Sequence, residues 1–358
     1  MTSKTVGVIG LGMIGGSVCL ALREAGHSVH GFDSAQSSLA EALEMNIVDA
    51  ELCDVDYDVI FVAAPIPEIG EIVADALLRY PGAVVSDVGS VKGSIVAACS
   101  NSRFVGGHPM AGSEIAGIKG ADKDRFKGAT WVLTPDEKTG DASYLLVKEM
   151  VEAMGAHVVT IDASTHDDIV AVVSHVPHLA AAALMLAASG ADGEDARTLR
   201  LSATGFKDMT RIAAGDPGLW SGIALANEQS IARALDILIA HLQDVKSSIE
   251  NGDRDALVKQ LTEAAGARRD LPSRQGRPRE VVEIAIDIAD RPGTLREVFD
   301  RVGSSSVNVE DVRIDHAADG THGTLFVTVA ASDVEAAISA LQGAGLPVWL
   351  VGESRGET

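Results

Sequence analysis

The segment VGVIGLGMIGGS (residues 6–17) constrains the fold of this chain more than any other, because it sets Gly10, Gly12 and Gly15 as GxGxxG between a β-branched run and a helical pattern. Gly10 permits a tight turn, Gly12 lets backbone approach a pyrophosphate, and Gly15 allows close packing of strand and helix. The amides of Met13 and Ile14 open the helix, where unpaired N–H groups and the positive end of the dipole favour phosphate. A second strand-like run, HSVHGFD, ends in Asp33 about twenty residues on, where a carboxylate would take ribose hydroxyls. No Arg or Lys follows in DSAQSS, so a 2′-phosphate would meet an uncompensated negative charge. NAD is favoured over NADP.

Short β-branched runs alternate with helical stretches from Thr5 to about Ile161, which predicts a parallel, doubly wound Rossmann-type sheet over residues 1–163. Ala- and Leu-rich helical periodicity then predicts an all-α domain over 164–265. GARRDLPSRQGRPRE, rich in Pro, Gly and Arg, reads as a linker at 266–279. The β–α–β–β–α–β pattern over 280–358 predicts a small ferredoxin-like α+β module.

With 51 acidic residues against 29 Lys plus Arg, the net charge of −22 would repel a nucleic-acid backbone. An anionic substrate must therefore be held by a few local cations. The three cysteines form no CxxC or Cys/His cluster, so neither a disulfide framework nor a zinc site is expected, and a reducing cytoplasm fits best. The N-terminus shows no export signal. The apolar stretch IVAVVSHVPHLAAAALMLAASGA carries two His and a Pro, which favours a buried helix over a membrane span.

Four strings stand apart from generic nucleotide-binding loops: SDVGSVKG (86–93), GGHPMAGSE (106–114), VVSHVPH (172–178) and GFKDMTRIAAGDPGLW (205–220). In this order and spacing they resemble the prephenate and arogenate dehydrogenases over about residues 5–265. The resemblance implies oxidation of the ring hydroxyl of prephenate as carbon dioxide leaves and the ring becomes aromatic, giving 4-hydroxyphenylpyruvate.

Such chemistry needs a base for the hydroxyl proton, and a neutral imidazole suits it. His108, after a strand at the carboxyl edge of the sheet, is the candidate. Ser90 would orient the hydroxyl or the imidazole, or would cap the helix that follows. The resemblance assigns Arg211 to a substrate carboxylate, which a guanidinium can grip bidentately. Ser174 and His178, four apart on one helix face, and the adjacent His175 are the expected partners of the other carboxylate. No third ligand accompanies the two histidines, so no metal is expected. Asp167 and Glu114 match carboxylates of the family, although Asp167 also completes a box STHD in which Ser164 would cap a helix. Trp220 matches a family tryptophan near the site.

ADRPGTL (289–295) and the following SSVNVEDVRI resemble an ACT domain, an amino-acid-sensing module. Gly293 would let helix-start N–H groups approach a ligand carboxylate, and Asn308 would offer an amide. The resemblance implies a homodimer with tyrosine as effector. The residues do not separate prephenate from arogenate as substrate. A non-catalytic NAD and amino-acid sensor is the rival of another class, disfavoured by the joint presence of Ser90, His108 and Arg211.

Overall fold

The structure, a computed structural model, describes residues 2–112, 117–190, 197–271, 281–289, 291, 294–305, 307–316 and 322–351. They divide into two compact units, 1–241 and 242–358.

The first unit holds an eight-stranded sheet of β1 (Thr5–Ile9), β2 (Ser28–Phe32), β3 (Ala50–Glu51), β4 (Val59–Val62), β5 (Val84–Asp87), β6 (Phe104–Pro109), β7 (Thr130–Thr134) and β8 (His157–Thr160) in the order β3-β2-β1-β4-β5-β6-β7-β8. Central β4 is buried at all four positions, as a strand covered on both faces must be. Its Val59 and Phe61 join the core beneath helix Met13–Glu24, while Ile60 and Val62 join the core beneath helix Ile66–Arg79. The alternation of a strand thus builds two hydrophobic layers from one apolar run.

The expected all-parallel sheet needs one correction. β7 runs antiparallel to β6, and β8 returns parallel to β7, so the sheet is mixed. Direction is set by how the chain crosses between strands, and the side-chain alternation is the same either way.

From Ala163 the chain is helical. Helix Ala163–Val170 passes through a π turn, Ala171–His175, into helix Val176–Gly190. Pro177 explains the wide turn: it has no N–H for the carbonyl one turn back and its ring crowds that carbonyl. The Ala163–Gly190 stretch is long and apolar enough to cross a bilayer, yet it buries His166, Asp167, His175 and His178, which lipid would penalise. Helix Ala163–Val170 is capped by Asp162, whose carboxylate accepts from the Thr165 amide at 2.9 Å. Ser164, expected in that role, lies inside the helix and donates to Asp162 instead.

In the second unit, helix Arg254–Arg269 runs past the expected linker start at 266. Beyond it β9 (Val281–Ala289), helix Thr294–Ser304, β10 (Val309–His316), β11 (His322–Ala330), helix Val334–Gly343 and β12 (Val348–Leu350) follow in the expected order. Their sheet, β10-β11-β9-β12, is antiparallel throughout. Ile284, Ile286 and Ile288 on alternate positions of β9 pack with Val298, Val302 and Leu341 of the two helices.

Candidate active site

Gly10 has a φ of +95°, and a Cβ there would lie 2.2 Å from the Ala63 carbonyl oxygen. A Cβ on Gly15 would lie 1.9 Å from the Gly10 carbonyl oxygen, so only glycine lets strand and helix approach this closely. Around a Cβ on Gly12, by contrast, none of the described residues lies within 4 Å, and none of their side chains caps the helix that begins at Met13. Open space over uncapped amides is what a pyrophosphate requires. Ile14, half-buried, packs its side chain against the core and offers its amide in the first turn of the helix.

Asp33, at the end of β2, accepts from the Leu11 amide at 2.7 Å and the Ala35 amide at 2.8 Å. Each oxygen keeps a lone pair for a ribose hydroxyl. The glycine turn, the open amides and the held carboxylate fit NAD.

At the same carboxyl edge, β5 and β6 end in a buried network. Lys92 and Asp87, both fully buried, form an ion pair. Lys92 Nζ also donates to the Gly107 carbonyl at 2.7 Å, and the Gly107 amide donates to Asp87 at 3.1 Å. The backbone immediately before His108 is therefore clamped on both sides. Burial lowers the Lys92 pKa, while Asp87 opposes the shift.

His108 Nδ1 lies 2.8 Å from Nε2 of His166, whose Nδ1 lies 2.8 Å from Asp167 Oδ1. The Asp167 carboxylate also accepts from the Lys92 and Gly93 amides at 2.8 and 2.7 Å, closing the start of helix Gly93–Cys99. These contacts fix the proton positions. A carboxylate only accepts, so with both rings neutral His166 Nδ1 carries the proton, its Nε2 is a lone pair, and His108 Nδ1 donates to it. Nε2 of His108 is left as the basic nitrogen. Burial first, then His166, Lys92 and His175, hold the His108 pKa well below the usual imidazole range, so the ring is neutral near pH 7.

Asp167, expected as a family carboxylate at the substrate or as part of a helix cap, has both oxygens committed inside the protein and serves a helix start and a histidine. Ser90 does not cap helix Gly93–Cys99, whose cap is that same carboxylate, and the Ser90 side chain makes no hydrogen bond to the described residues. His166 and the Lys92–Asp87 pair are features of the candidate site that the sequence reading missed. Lys92 and Asp87 lay within a string singled out there, whereas His166 gave no signal apart from the capping box.

The helical wall is looser. His175 is buried, and its Nδ1 lies 3.3 Å from the Asn227 amide nitrogen, which also donates to the Asp167 carbonyl at 2.8 Å. Since Asn227 donates, the His175 proton sits on Nε2. Burial pushes its pKa down to about 4. His178, also lowered by burial, stacks on Trp220 with centroids 3.5 Å apart and planes at 12°. His175 meets the edge of the same indole at 6.2 Å. Ser174 is half-buried in the π turn between them, and the exposed Arg211 opens a 3-10 turn packed against helix Val176–Gly190. Glu114 and Gly293 lie outside the described residues; Asn308 is exposed just before β10. Among the described residues no group of three or more His, Cys, Asp or Glu is placed to hold a metal.

Comparison with known proteins agrees with this division. Residues 18–160 match the family description "prephenate dehydrogenase, nucleotide-binding domain", and residues 162–263 match "prephenate dehydrogenase, dimerization domain". A prephenate dehydrogenase of Bacillus subtilis is 28% identical over 346 residues, 92% of this chain and 93% of its own. The solved A. aeolicus prephenate dehydrogenase, in complex with hydroxyphenyl propionate and NAD+, superposes with a TM-score of 0.72 at 30% identity, covering 76% of this chain and 99% of its own. A Synechocystis arogenate dehydrogenase superposes with a TM-score of 0.67 at 33% identity, covering 74% and 98%. The two solved structures thus match about three-quarters of this chain, whereas the Bacillus protein matches nearly its whole length.

Proposed function

The chain belongs to the prephenate dehydrogenase family, and on that premise we propose that it oxidises prephenate with NAD, releasing carbon dioxide and forming 4-hydroxyphenylpyruvate. The observation that carries the reading is the His108–His166–Asp167 line, which leaves His108 Nε2 as a neutral base at the sheet edge where the nucleotide motif opens.

NAD, when bound, supplies the acceptor for the hydride that leaves the hydroxyl-bearing ring carbon. Gly10, Gly12 and Gly15, the Met13 and Ile14 amides, and Asp33 would hold it. His108 Nε2 takes the hydroxyl proton, and Ser90, with an uncommitted hydroxyl, orients the same oxygen. Arg211 grips one substrate carboxylate. Ser174, the Nε2 proton of His175, and His178 on its Trp220 platform serve the other. Glu114, six residues after His108 in the sequence, is assigned to the same site by the family pattern.

Arogenate is the second reading, favoured by the likeness to the Synechocystis enzyme. NADH formation with prephenate and with arogenate, followed in parallel, tests both. Turnover of prephenate is expected, and silence with both substrates would return the chain to the sensor reading.

A homodimer is supported by the matched dimerisation segment and by apolar side chains left exposed on the helices: Leu186, Met209, Leu225 and Ile237. The free thiols of Cys19, Cys53 and Cys99 suit the cytoplasm. The C-terminal module is read as an ACT domain that takes tyrosine, with Gly293 and Asn308 at the ligand. Calorimetric titration should show tyrosine binding that Gly293→Val abolishes; equal binding by both proteins would place the effector elsewhere.

A further inference from the structure

We propose that His166 is the proton store of the reaction: the proton that His108 takes from the substrate hydroxyl is accommodated by transfer of the His108 Nδ1 proton to His166 Nε2, and it is returned when the ring becomes aromatic. This rests on the dehydrogenase reading above and gives His166 a part in the chemistry beyond fixing the tautomer of His108.

The chemistry calls for a store. When the ring carbon is oxidised, its C–H electron pair leaves as hydride, the O–H proton leaves, and the O–H electron pair completes a C=O bond. When carbon dioxide leaves, the pair of the broken C–C bond shifts through the ring, and the former carbonyl oxygen becomes a phenolate. That oxygen ends as a phenol, so a proton departs and a proton comes back to the same atom. No net proton is consumed, and something beside the oxygen must hold one in the interval.

His108 alone is a poor holder. The groups that face it are Lys92 on the loop after β5, and His166 and His175 on the helical wall, each of which disfavours a positive charge there. The carboxylate that pairs with the Lys92 ammonium, Asp87, is already spent on that lysine. His166 is better placed, since its Nδ1 lies 2.8 Å from Asp167 and its ring is 1% exposed. An imidazolium there would lie against a carboxylate in a low-dielectric setting. The two rings have the same intrinsic basicity, so the neighbouring charges decide where the proton rests. The transfer itself moves one proton along an existing 2.8 Å hydrogen bond. The proton that enters at His108 Nε2 is matched by the one that leaves at Nδ1.

The test uses the full-length protein labelled with 15N-histidine. In an NMR titration of the wild type, the first proton taken up by the pair should appear on His166, giving it two protonated nitrogens while one nitrogen of His108 stays bare. A first proton that makes His108 the imidazolium, with His166 neutral, would overturn the proposal. This readout needs no turnover, so it stands apart from any failure of the substrate assignment.

Steady-state kinetics of His166→Gln form the second arm. The glutamine carbonyl can still accept from His108 Nδ1 but cannot hold a proton. Expected are a kcat lowered at least about tenfold, a KM for prephenate within about twofold of wild type, and an acid limb of the kcat profile moved to lower pH, because the remaining base is His108 alone. An unchanged kcat and pH profile would show that His166 only positions its neighbour, and the proposal would fall.

Discussion

The two walls of the candidate site are built on opposite plans. Around the base, Asp87 and Lys92 at the sheet edge and His166 and Asp167 on helix Ala163–Val170 are buried, and each is held by at least two hydrogen bonds or ion pairs. On the helical side, Ser174, Arg211 and Trp220 keep part of their surface open, and His178 and Trp220 stack ring on ring. The difference follows from the task. A base must have its tautomer and direction fixed before substrate arrives, which takes a buried, fully paired network. A carboxylate clamp only has to meet a charge brought in by the ligand, so it can stay solvated until then.

The largest effect should come from breaking the sheet side at its buried charge. Lys92→Met leaves Asp87 without its cation and is expected to lower stability by about 3 to 5 kcal/mol, read from denaturant unfolding. A loss under about 1 kcal/mol would mean that the pair is not the clamp described. On the helical side, Arg211→Ala should spare the fold and raise the KM for prephenate, a loss on the order of 2 to 4 kcal/mol. An unchanged KM would detach Arg211 from the substrate.

Acid sharpens the same contrast. The ordinary imidazole pKa is about 6.5. His175 is held at about 4, and His108 and His178 are shifted the same way, so the unfolded chain takes up protons first as the pH falls. Stability that is intact above the unfolded value is therefore lost as the pH drops below about 6.5, with His175 alone contributing about 2 kcal/mol by pH 5. A flat unfolding free energy between pH 7 and 5 would contradict the burial of these rings. The smallest change is expected at the nucleotide. Asp33→Ala combined with Ser34→Arg should move preference toward NADP by on the order of 1 kcal/mol, and intact NAD preference would remove Asp33 from the ribose.

The residues that could be read from the sequence are those whose role is local. The glycine motif, the ends of β1 and β2, and the βαββαβ order of the second unit depend on spacing within a few residues, and they stand where expected. The direction of β7 did not show, because a strand's alternation is the same in either direction. His166 was hidden for a related reason: its partner His108 is 58 residues away, and only the tertiary fold brings the rings together. Asp167 stayed open between two readings because a carboxylate near a substrate helix and one that closes a distant helix start look alike in one dimension.

The central claim is that His108 Nε2 is the base for the substrate hydroxyl, and its most direct test is the steady-state rate of NADH formation from prephenate by His108→Asn. The account predicts a kcat at least about a hundredfold below wild type with KM little changed, since the base acts mainly in the transition state. A wild-type kcat in that variant would contradict it.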